Sequence, residues 1–549
     1  MFARYYGNGD PTERMQYFIA NPPPVISVDV ETVSIAERIP LGFAIAFSAD
    51  EAVYISVYPT APEELAKLAT LLCNSQVRKV AHNAIFDLGI LPTIPHLAQL
   101  DRSNIWDTNV AARYLGREFT DLPYLAELEL TDIKVTAARD MLKGKKSMLE
   151  IDAELLADKC QRDARACLML YQRYLPPIEA QHKDNFAVDM KVMPILIDMS
   201  QRGLLIDQTA RAALQQRYSR EVDFYKQQVL GFGVENPASS QQVGYMLAKR
   251  GNFLPLTKSK KQLSTRVGEL EFLDDPMAAA VLGYRHYSKF KNTYLDPLEG
   301  EDRFFTEYYL DTSVGRLNSR DRNIQNIPLD ARYMILPDNG LFTSADYSQE
   351  HLYILMHFSQ DRAMKQVYEE GLFSGDIHSY TAEQMFGSVT PDRRKLAKTI
   401  NYAICYGATP KTISEQSKIR DRTVCSRLLD NWFRTFKGAA DWIQTVQREG
   451  LRSGWAEPTL FGRRIKLPEE SEDGQRRKAV NFPILGSDGE VIKRAIIRCS
   501  ELQLGPPVLA ITVHDSLHFD GDIEVPVEEL EMIPGFKIPV QVTKTLHWE

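Results

Sequence analysis

Residues Ala345–Leu355 read ADYSQEHLYIL and residues Ile511–Leu517 read ITVHDSL. Each stretch places an aspartate, Asp346 or Asp515, at the edge of a short apolar run. Carboxylates brought together from distant parts of a chain can hold a pair of divalent cations. Two such ions about 4 Å apart clamp the attacking and leaving oxygens of a phosphoryl transfer. Mg2+ suits that task because it takes few carboxylates and keeps positions for substrate phosphates. The long stretch between the two aspartates leaves room for a substrate-binding subdomain.

Around these two stretches the runs FTEYYL, LFTSADY, VLAITVH and SLHFDG predict an antiparallel sheet on which Asp346 and Asp515 meet, interrupted by a long helical insertion. Residues 1–185 alternate β-type runs (VISVDVET, AVYISVYP) with helical ones such as PEELAKLATLLCN, an α/β pattern. Residues 186–300 read as mostly helical, with a polar, basic stretch, TKSKKQLSTR, before the last helix. A chain of 549 residues exceeds a single core and predicts about three or four structural units. Its 44% hydrophobic and 25% charged residues are those of a soluble globular protein. No apolar run reaches membrane-spanning length. The opening MFARYYGNGDPTERMQYF has no apolar signal core, so a cytoplasmic location is expected. The six cysteines form no CxxC pair and read as buried thiols.

A formal charge of −8 does not argue against a nucleic-acid partner, since binding needs a local basic surface and not a basic total. Five basic clusters are present: Lys258 to Lys261, Arg393 to Lys398, Gly462 to Lys466, Arg476 to Lys478, and Lys493-Arg494. Such clusters are usually solvated faces. Four of the five lie between Asp346 and Asp515, and the clusters are expected to line a nucleic-acid path.

A second carboxylate set lies upstream. VDVET puts Asp29 and Glu31 two apart on a strand, so they share one face. HNAIFD adds Asn83 and Asp87, four apart as on one face of a helix, and RDARACLMLY adds Asp163 near the start of another helix. This order of DxE, NxxxD and D resembles the 3′→5′ proofreading exonucleases of the ribonuclease-H-like fold. The resemblance implies that Asp29, Glu31, Asp87 and Asp163 hold two metals, one activating a water and one stabilising the leaving 3′ oxygen. The third motif departs from the family. A tyrosine four residues before the aspartate, or a histidine five before, usually orients the water, and here those positions are Lys159 and Asp158. The departure bears on the rate of the exonuclease.

Arg394, Lys398 and Tyr402 recur every four residues and line one stripe of a helix, with Tyr406-Gly407 at its end. Two cations and an aromatic ring suit a triphosphate and its sugar. The pattern RxxxKxxxYxxxYG resembles the fingers helix of family A DNA polymerases, the bacterial DNA polymerase I type and especially its compact phage relatives. There the arginine and lysine contact the triphosphate, the first aromatic stacks near the sugar, and the last tyrosine lies at the template base. VGRLNSRDRNIQNIP resembles the family's TGRLSSTDPNLQNIP and implies DNA contacts at Arg316, Asn323, Gln325 and Asn326. SGDIHSYTAEQMFG implies a triphosphate contact at His378. RRKAVNFPILGSDGEVIKRA implies template-side contacts at Arg477 and Asn481, and His514 is expected at the primer end. Tyr347 is expected with Asp346 and Asp515 at the metals, and Gln349 and His351 at the nucleotide.

Four further positions depart from the family. DYSQEHLY replaces DYSQIELR, so His351 stands where a glutamate blocks a ribose 2′-OH, with Glu350 on the opposite face of the expected strand. HDS replaces HDE at Ser516, Leu485 stands in place of a glutamine that reads the minor groove, and Asp330 stands where an arginine is frequent.

The resemblance thus implies an α/β and α+β multidomain chain. A ribonuclease-H-like exonuclease domain (1–185) is followed by a right-hand polymerase with a helical thumb (186–300), an antiparallel-sheet palm (301–360 and 471–549) and helical fingers (361–470). The expected reaction is template-directed addition of deoxynucleotides to a primer 3′ end. The expected cofactor is Mg2+, two per active site with Mn2+ able to substitute, and the expected partners are primer-template DNA and dNTPs. Lack of room for a 5′-nuclease domain points to a phage or other compact replicon. A monomer is expected, with a helicase, primase or processivity factor as the associated class. Two alternatives stay open: a single-subunit RNA polymerase-like enzyme, kept alive by His351 but opposed by the exonuclease domain, and a catalytically silent DNA-binding scaffold, opposed by the retained carboxylates.

Overall fold

A computed structural model describes residues 3–548 except 8–10, 35–36, 58–61, 258–260 and 420, and leaves out the side chains at 3, 4, 11, 12, 62–64 and 330. The expectations for Lys258 to Lys260 and for Asp330 therefore lie outside the described residues. The N-terminal part is built on a six-stranded sheet in the order Ala3–Tyr6, Ala52–Ser56, Pro40–Ala46, Val25–Thr32, Arg78–Ala81 and Ile105–Asp107. The last two strands run parallel to Val25–Thr32 and the others are antiparallel neighbours. The helix Ala153–Gln181 lies across its central strands. Its start is set by Asp152, whose carboxylate accepts the amides of Glu154 and Leu155. Asp163 consequently sits well inside this helix and not near its start. Asn83 also differs from expectation: it stands outside the helix Ala84–Ile90 as its cap, at φ 69°.

Helices Gln208–Gly231 and Pro276–Phe290 pack together through Tyr218, Tyr287 and Phe290. With the helix Ser240–Lys249 they enclose a separate small core of Val229, Val243, Leu247, Met277 and Val281. The helix Lys183–Arg202, expected within the thumb, instead packs against the long helix Glu472–Glu501 and the N-terminal helices Ala84–Ile90 and Thr108–Tyr114. The reason is Asp189, almost wholly buried on its inner face. Its carboxylate pairs with Lys493, accepts the Tyr114 hydroxyl at 2.9 Å, and faces the Arg463 guanidinium at 3.6 Å. Arg463 also lies over the Tyr114 ring at 4.1 Å. One turn earlier, Asn185 bonds the Phe461 carbonyl and Arg494. Thus Arg463, Lys493 and Arg494 are tied into an internal junction and do not line a nucleic-acid path as expected, whereas Arg464 and Lys466 of the same run are exposed. In the cluster Arg476 to Lys478, Arg476 pairs with Glu472 and Lys478 with Glu470.

The palm is a four-stranded antiparallel sheet in the order Leu509–Val513, Ser516–Asp520, Phe342–Tyr347 and Val540–Thr545. The FTEYYL run is not part of it, because Glu307–Tyr309 pairs locally with Asn318–Arg320. The fourth strand is the C-terminal VQVTKT, an edge strand whose mostly exposed residues give little hydrophobic signal. Between the inner strands the chain forms the helices Ile377–Phe386, Pro391–Cys405, Arg422–Thr435 and Lys437–Ser453. Among the described residues no helix is long and apolar enough to cross a membrane.

Removing one partner of a buried ion pair leaves the other charge uncompensated, at about 3–5 kcal/mol. Asp189→Ala should therefore lower the first thermal unfolding transition by several degrees, measured by calorimetry. Exposed Asp184→Ala on the same helix should leave that transition unmoved.

Candidate active sites

Asp346 is the penultimate residue of the strand Phe342–Tyr347, and Asp515 occupies the turn between Leu509–Val513 and Ser516–Asp520. Register places Asp346 opposite Ser516, and the Tyr347 amide donates to the Asp515 carbonyl at 3.0 Å. His514 reaches the turn through a left-handed conformation, φ 54°. The sheet thus brings the two aspartates together as expected. The surrounding protein and the Asp515 carboxylate raise the Asp346 pKa to about 6, against the lowering effect of the Lys398 ammonium. Asp515 is raised by its burial and by Asp488. Two carboxyls that resist ionisation beside each other form a donor set suited to divalent cations. Tyr347 differs from its neighbours: its buried hydroxyl donates to the Leu530 carbonyl, so only its main chain can face an ion. Ser516 is turned inward onto Val513 and His518 and does not replace the missing acid.

Arg394, Lys398 and Tyr402 lie along one helix, Pro391–Cys405, capped by Thr390. The two cations are exposed. Arg394 makes a fork to Asp376, with Nε at 2.8 Å and Nη2 at 3.3 Å. Asp376 also caps the helix Ile377–Phe386. Burial alone would raise its pKa, but the bonds from Arg394 and Ser379 outweigh it and bring it to about 2. His378 is buried beside Tyr402, ring centroids 5.7 Å apart. Its Nδ1 lies 3.0 Å from Asn401 Nδ2, and Asn401 Oδ1 accepts the Trp432 indole N–H at 2.7 Å. An indole only donates, so Asn401 presents its amino group to His378. His378 Nδ1 is therefore the acceptor and Nε2 carries the proton. Burial lowers the His378 pKa to about 4.

The chain does not stay extended after Asp346. It turns at Gln349, φ 54°, and enters the helix Glu350–Ser359. The expected strand alternation at Glu350 and His351 therefore does not apply. Glu350 is buried, and its carboxyl is hydrogen-bonded to the Asp488 side chain. Burial and the neighbouring Asp488 push its pKa well up. His351 faces the fingers: Nδ1 lies 3.0 Å from the Tyr406 hydroxyl, and Nε2 lies 3.7 Å from the Asp488 carboxylate. Arg316 donates Nε to the same carboxylate at 2.7 Å. Gly489 makes this contact possible, since a Cβ there would come within 2.9 Å of the Arg316 Cα. At Gly407, φ +69°, a Cβ would lie 2.8 Å from the Arg477 Cα, so the end of the fingers helix abuts the helix Glu472–Glu501. Gln349 accepts the Tyr368 hydroxyl at 3.2 Å.

Of the residues expected at DNA, Arg477, Asn326 and His514 are exposed, and Asn323, Gln325 and Asn481 half-buried. Asn323 accepts from Ser319, and Gln325 reaches the Leu317 carbonyl. Leu485 packs against the small cluster of Val314, Ile465 and Phe482. Asp376, Asn401 and Asp488 were missed by the sequence reading. Asp376 had a signal in its position before a helix, whereas the others depend on tertiary neighbours.

In the N-terminal site, Asp29 and Glu31 stand on the strand Val25–Thr32, and Asp87 accepts the Val30 amide at 2.9 Å. Burial raises the pKa of all four carboxyls, Asp29 and Asp87 furthest. Lys159 projects between them, its Nζ 2.5 Å from Glu31 Oε1 and 2.8 Å from Asp163 Oδ2. Asp158 points outward and pairs with Arg162. The four carboxylates are assembled as expected, but a two-ion arrangement does not fit them, because an ammonium fills the place between Glu31 and Asp163.

The sequence profile of family A DNA polymerases matches residues 208–535. The chain belongs to DNA polymerase family A. A 3′-5′ exonuclease profile matches residues 10–174. Among curated relatives, DNA polymerase I of Chloroflexus aurantiacus is 30% identical over 539 residues, covering 89% of this chain and 56% of that one. DNA polymerase I of Pseudomonas aeruginosa is 27% identical over 544 residues, 90% and 59% of the two chains. This family A chain thus spans a little over half the length of these relatives. Its fold matches the POL domain of Pol1 from M. smegmatis, solved with DNA primer-template and dNTP, at a TM-score of 0.79 and 22% identity over 98% of both chains.

The His378 environment sets a pH dependence. A histidine held neutral in the fold binds fewer protons than in the unfolded chain, so its stabilising contribution is complete above the usual value near 6.5 and is lost as pH falls towards about 4. A nitrogen-15 NMR titration should find His378 neutral and protonated at Nε2 between pH 5 and 8. Asn401→Leu should abolish that tautomer preference.

Proposed function

We propose that this family A chain is a template-directed DNA polymerase that adds deoxynucleotides to a primer 3′ end, with a 3′→5′ exonuclease domain upstream. The observation that carries the reading is the meeting of Asp346 and Asp515 on one sheet edge, with the Lys398 ammonium close enough to act on Asp346. Asp346 and Asp515 would hold two Mg2+ ions, with Mn2+ able to substitute, and the ions supply charge stabilisation for an in-line phosphoryl transfer.

The chain's own residues account for the remainder. Lys398 and Arg394 present two cationic groups to the triphosphate. Arg394 is held ready by Asp376 and exchanges that partner for phosphate oxygens. His378, neutral and protonated at Nε2, adds a hydrogen bond without adding charge. Tyr402 lies against the sugar between His378 and His351. Tyr406 stands at the template base and steadies the His351 ring through its hydroxyl. Arg316, Asn323, Gln325, Asn326, Arg477, Asn481 and His514 form the DNA-contacting set around the primer end.

Asp346→Ala and Asp515→Ala should each reduce primer extension more than a hundredfold while preserving DNA affinity. Extension by either variant above a hundredth of the unsubstituted rate would remove that residue from its role. Primer extension with deoxy- against ribonucleotides, with and without Mg2+, separates this reading from an RNA polymerase or a silent scaffold.

The sugar gate gives a second test. His351 is held by Tyr406 and Asp488 and crowds the 2′ side with a ring in place of a carboxylate. Loss of one such contact is worth about 1–3 kcal/mol of discrimination. His351→Ala should raise the ribonucleotide-to-deoxynucleotide ratio of kcat/KM by roughly tenfold or more. An unchanged ratio would place the gate at Tyr402.

A further inference from the structure

We propose that Lys159 is a built-in cation standing in for one of the two metal ions of the exonuclease centre, which leaves that centre a one-ion site. The ammonium is buried and is hydrogen-bonded to Glu31 Oε1 at 2.5 Å and Asp163 Oδ2 at 2.8 Å. It cannot drift far, because Lys159 and Asp163 are one turn apart on the same helix and Glu31 lies on the strand beneath it. A Mg2+ ion binds carboxylate oxygens at about 2.0–2.1 Å. An ion bound to the same two oxygens would therefore overlap the ammonium.

The remaining donors mark where a single ion fits. Asp29 Oδ2 and Asp163 Oδ1 are buried and have no hydrogen-bond partner among the described residues. Ligand atoms of Asp29, Glu31 and Cys160 lie within 4.8 Å of one another. Charge gives the same count. Four carboxylates facing one ammonium and one divalent ion keep a slight negative excess, whereas a second ion would reverse it. An ammonium also has no open coordination position, so it balances charge and holds Glu31 and Asp163 in place but cannot bind a water as a metal does. Lys159 is thus a positioning residue.

The inference rests on the exonuclease reading only in taking these carboxylates as ion ligands. Its test counts ions and needs no nuclease activity, so its failure is separable from the failure of that reading. The chain carrying Asp346→Asn and Asp515→Asn, which silences the polymerase site, is titrated with Mn2+ in the presence of thymidine 5′-monophosphate. Free Mn2+ is followed by electron paramagnetic resonance. The expected result is one tightly held ion with Lys159 in place, two in Lys159→Met, and none when Asp29→Asn is added to the Lys159 chain. Two ions or none with Lys159 present overturns the proposal, as does a single ion in Lys159→Met. If Lys159→Met does not fold, the change from one ion to none on Asp29→Asn decides the matter.

Discussion

The Asp189 carboxylate is the constraint on which the arrangement of the molecule depends. It is buried where the N-terminal domain, the bridging helix Lys183–Arg202, the loop after the fingers and the helix Glu472–Glu501 converge, and it takes a partner from each of the other three in Tyr114, Arg463 and Lys493. A buried charge is tolerated only with its counter-charges and hydrogen bonds in place. All three segments must therefore dock in one register. The exonuclease sheet and the palm sheet are in this way fixed relative to each other by side chains that belong to neither candidate carboxylate set.

The same physics recurs on a smaller scale at each candidate site. In the polymerase half, Asp488 gathers Arg316 and His351, with Glu350 buried beside it. In the exonuclease half, Lys159 gathers Glu31 and Asp163. Asp376 holds Arg394 while capping its own helix. Each of these groups is a charged side chain kept in one rotamer by an opposite charge, which sets the geometry a substrate meets. The departures from family pattern at His351 and Lys159 are thus not isolated substitutions. Both have partners that fit them, Tyr406 and Asp488 for His351, Glu31 and Asp163 for Lys159.

Sequence spacing worked well where a site residue is set by local structure. Asp29 and Glu31 share a strand face, and Arg394, Lys398 and Tyr402 share a helix stripe, because the periods of strand and helix place them there. It failed where a backbone turn breaks the period. Gln349 adopts a left-handed conformation, so Glu350 and His351 open a helix instead of alternating across a strand. It also failed where a charge is consumed inside: Arg463 and Lys493 look like surface cations in the sequence but are nearly inaccessible.

The sequence by itself determined the two carboxylate sets, the fingers helix, the α/β character of residues 1–185 and the helical character of the thumb. These follow from short-range periodicity and from motifs whose residues lie within a few turns of one another. Only the tertiary structure decided that VQVTKT completes the palm sheet, that Asn401 selects the His378 tautomer, that Asp488 lies under His351, and that Lys159 enters the exonuclease carboxylates. Each of those depends on which groups from distant parts of the chain become neighbours once water is excluded. Their electrostatic and hydrogen-bonding demands become binding only in that buried environment.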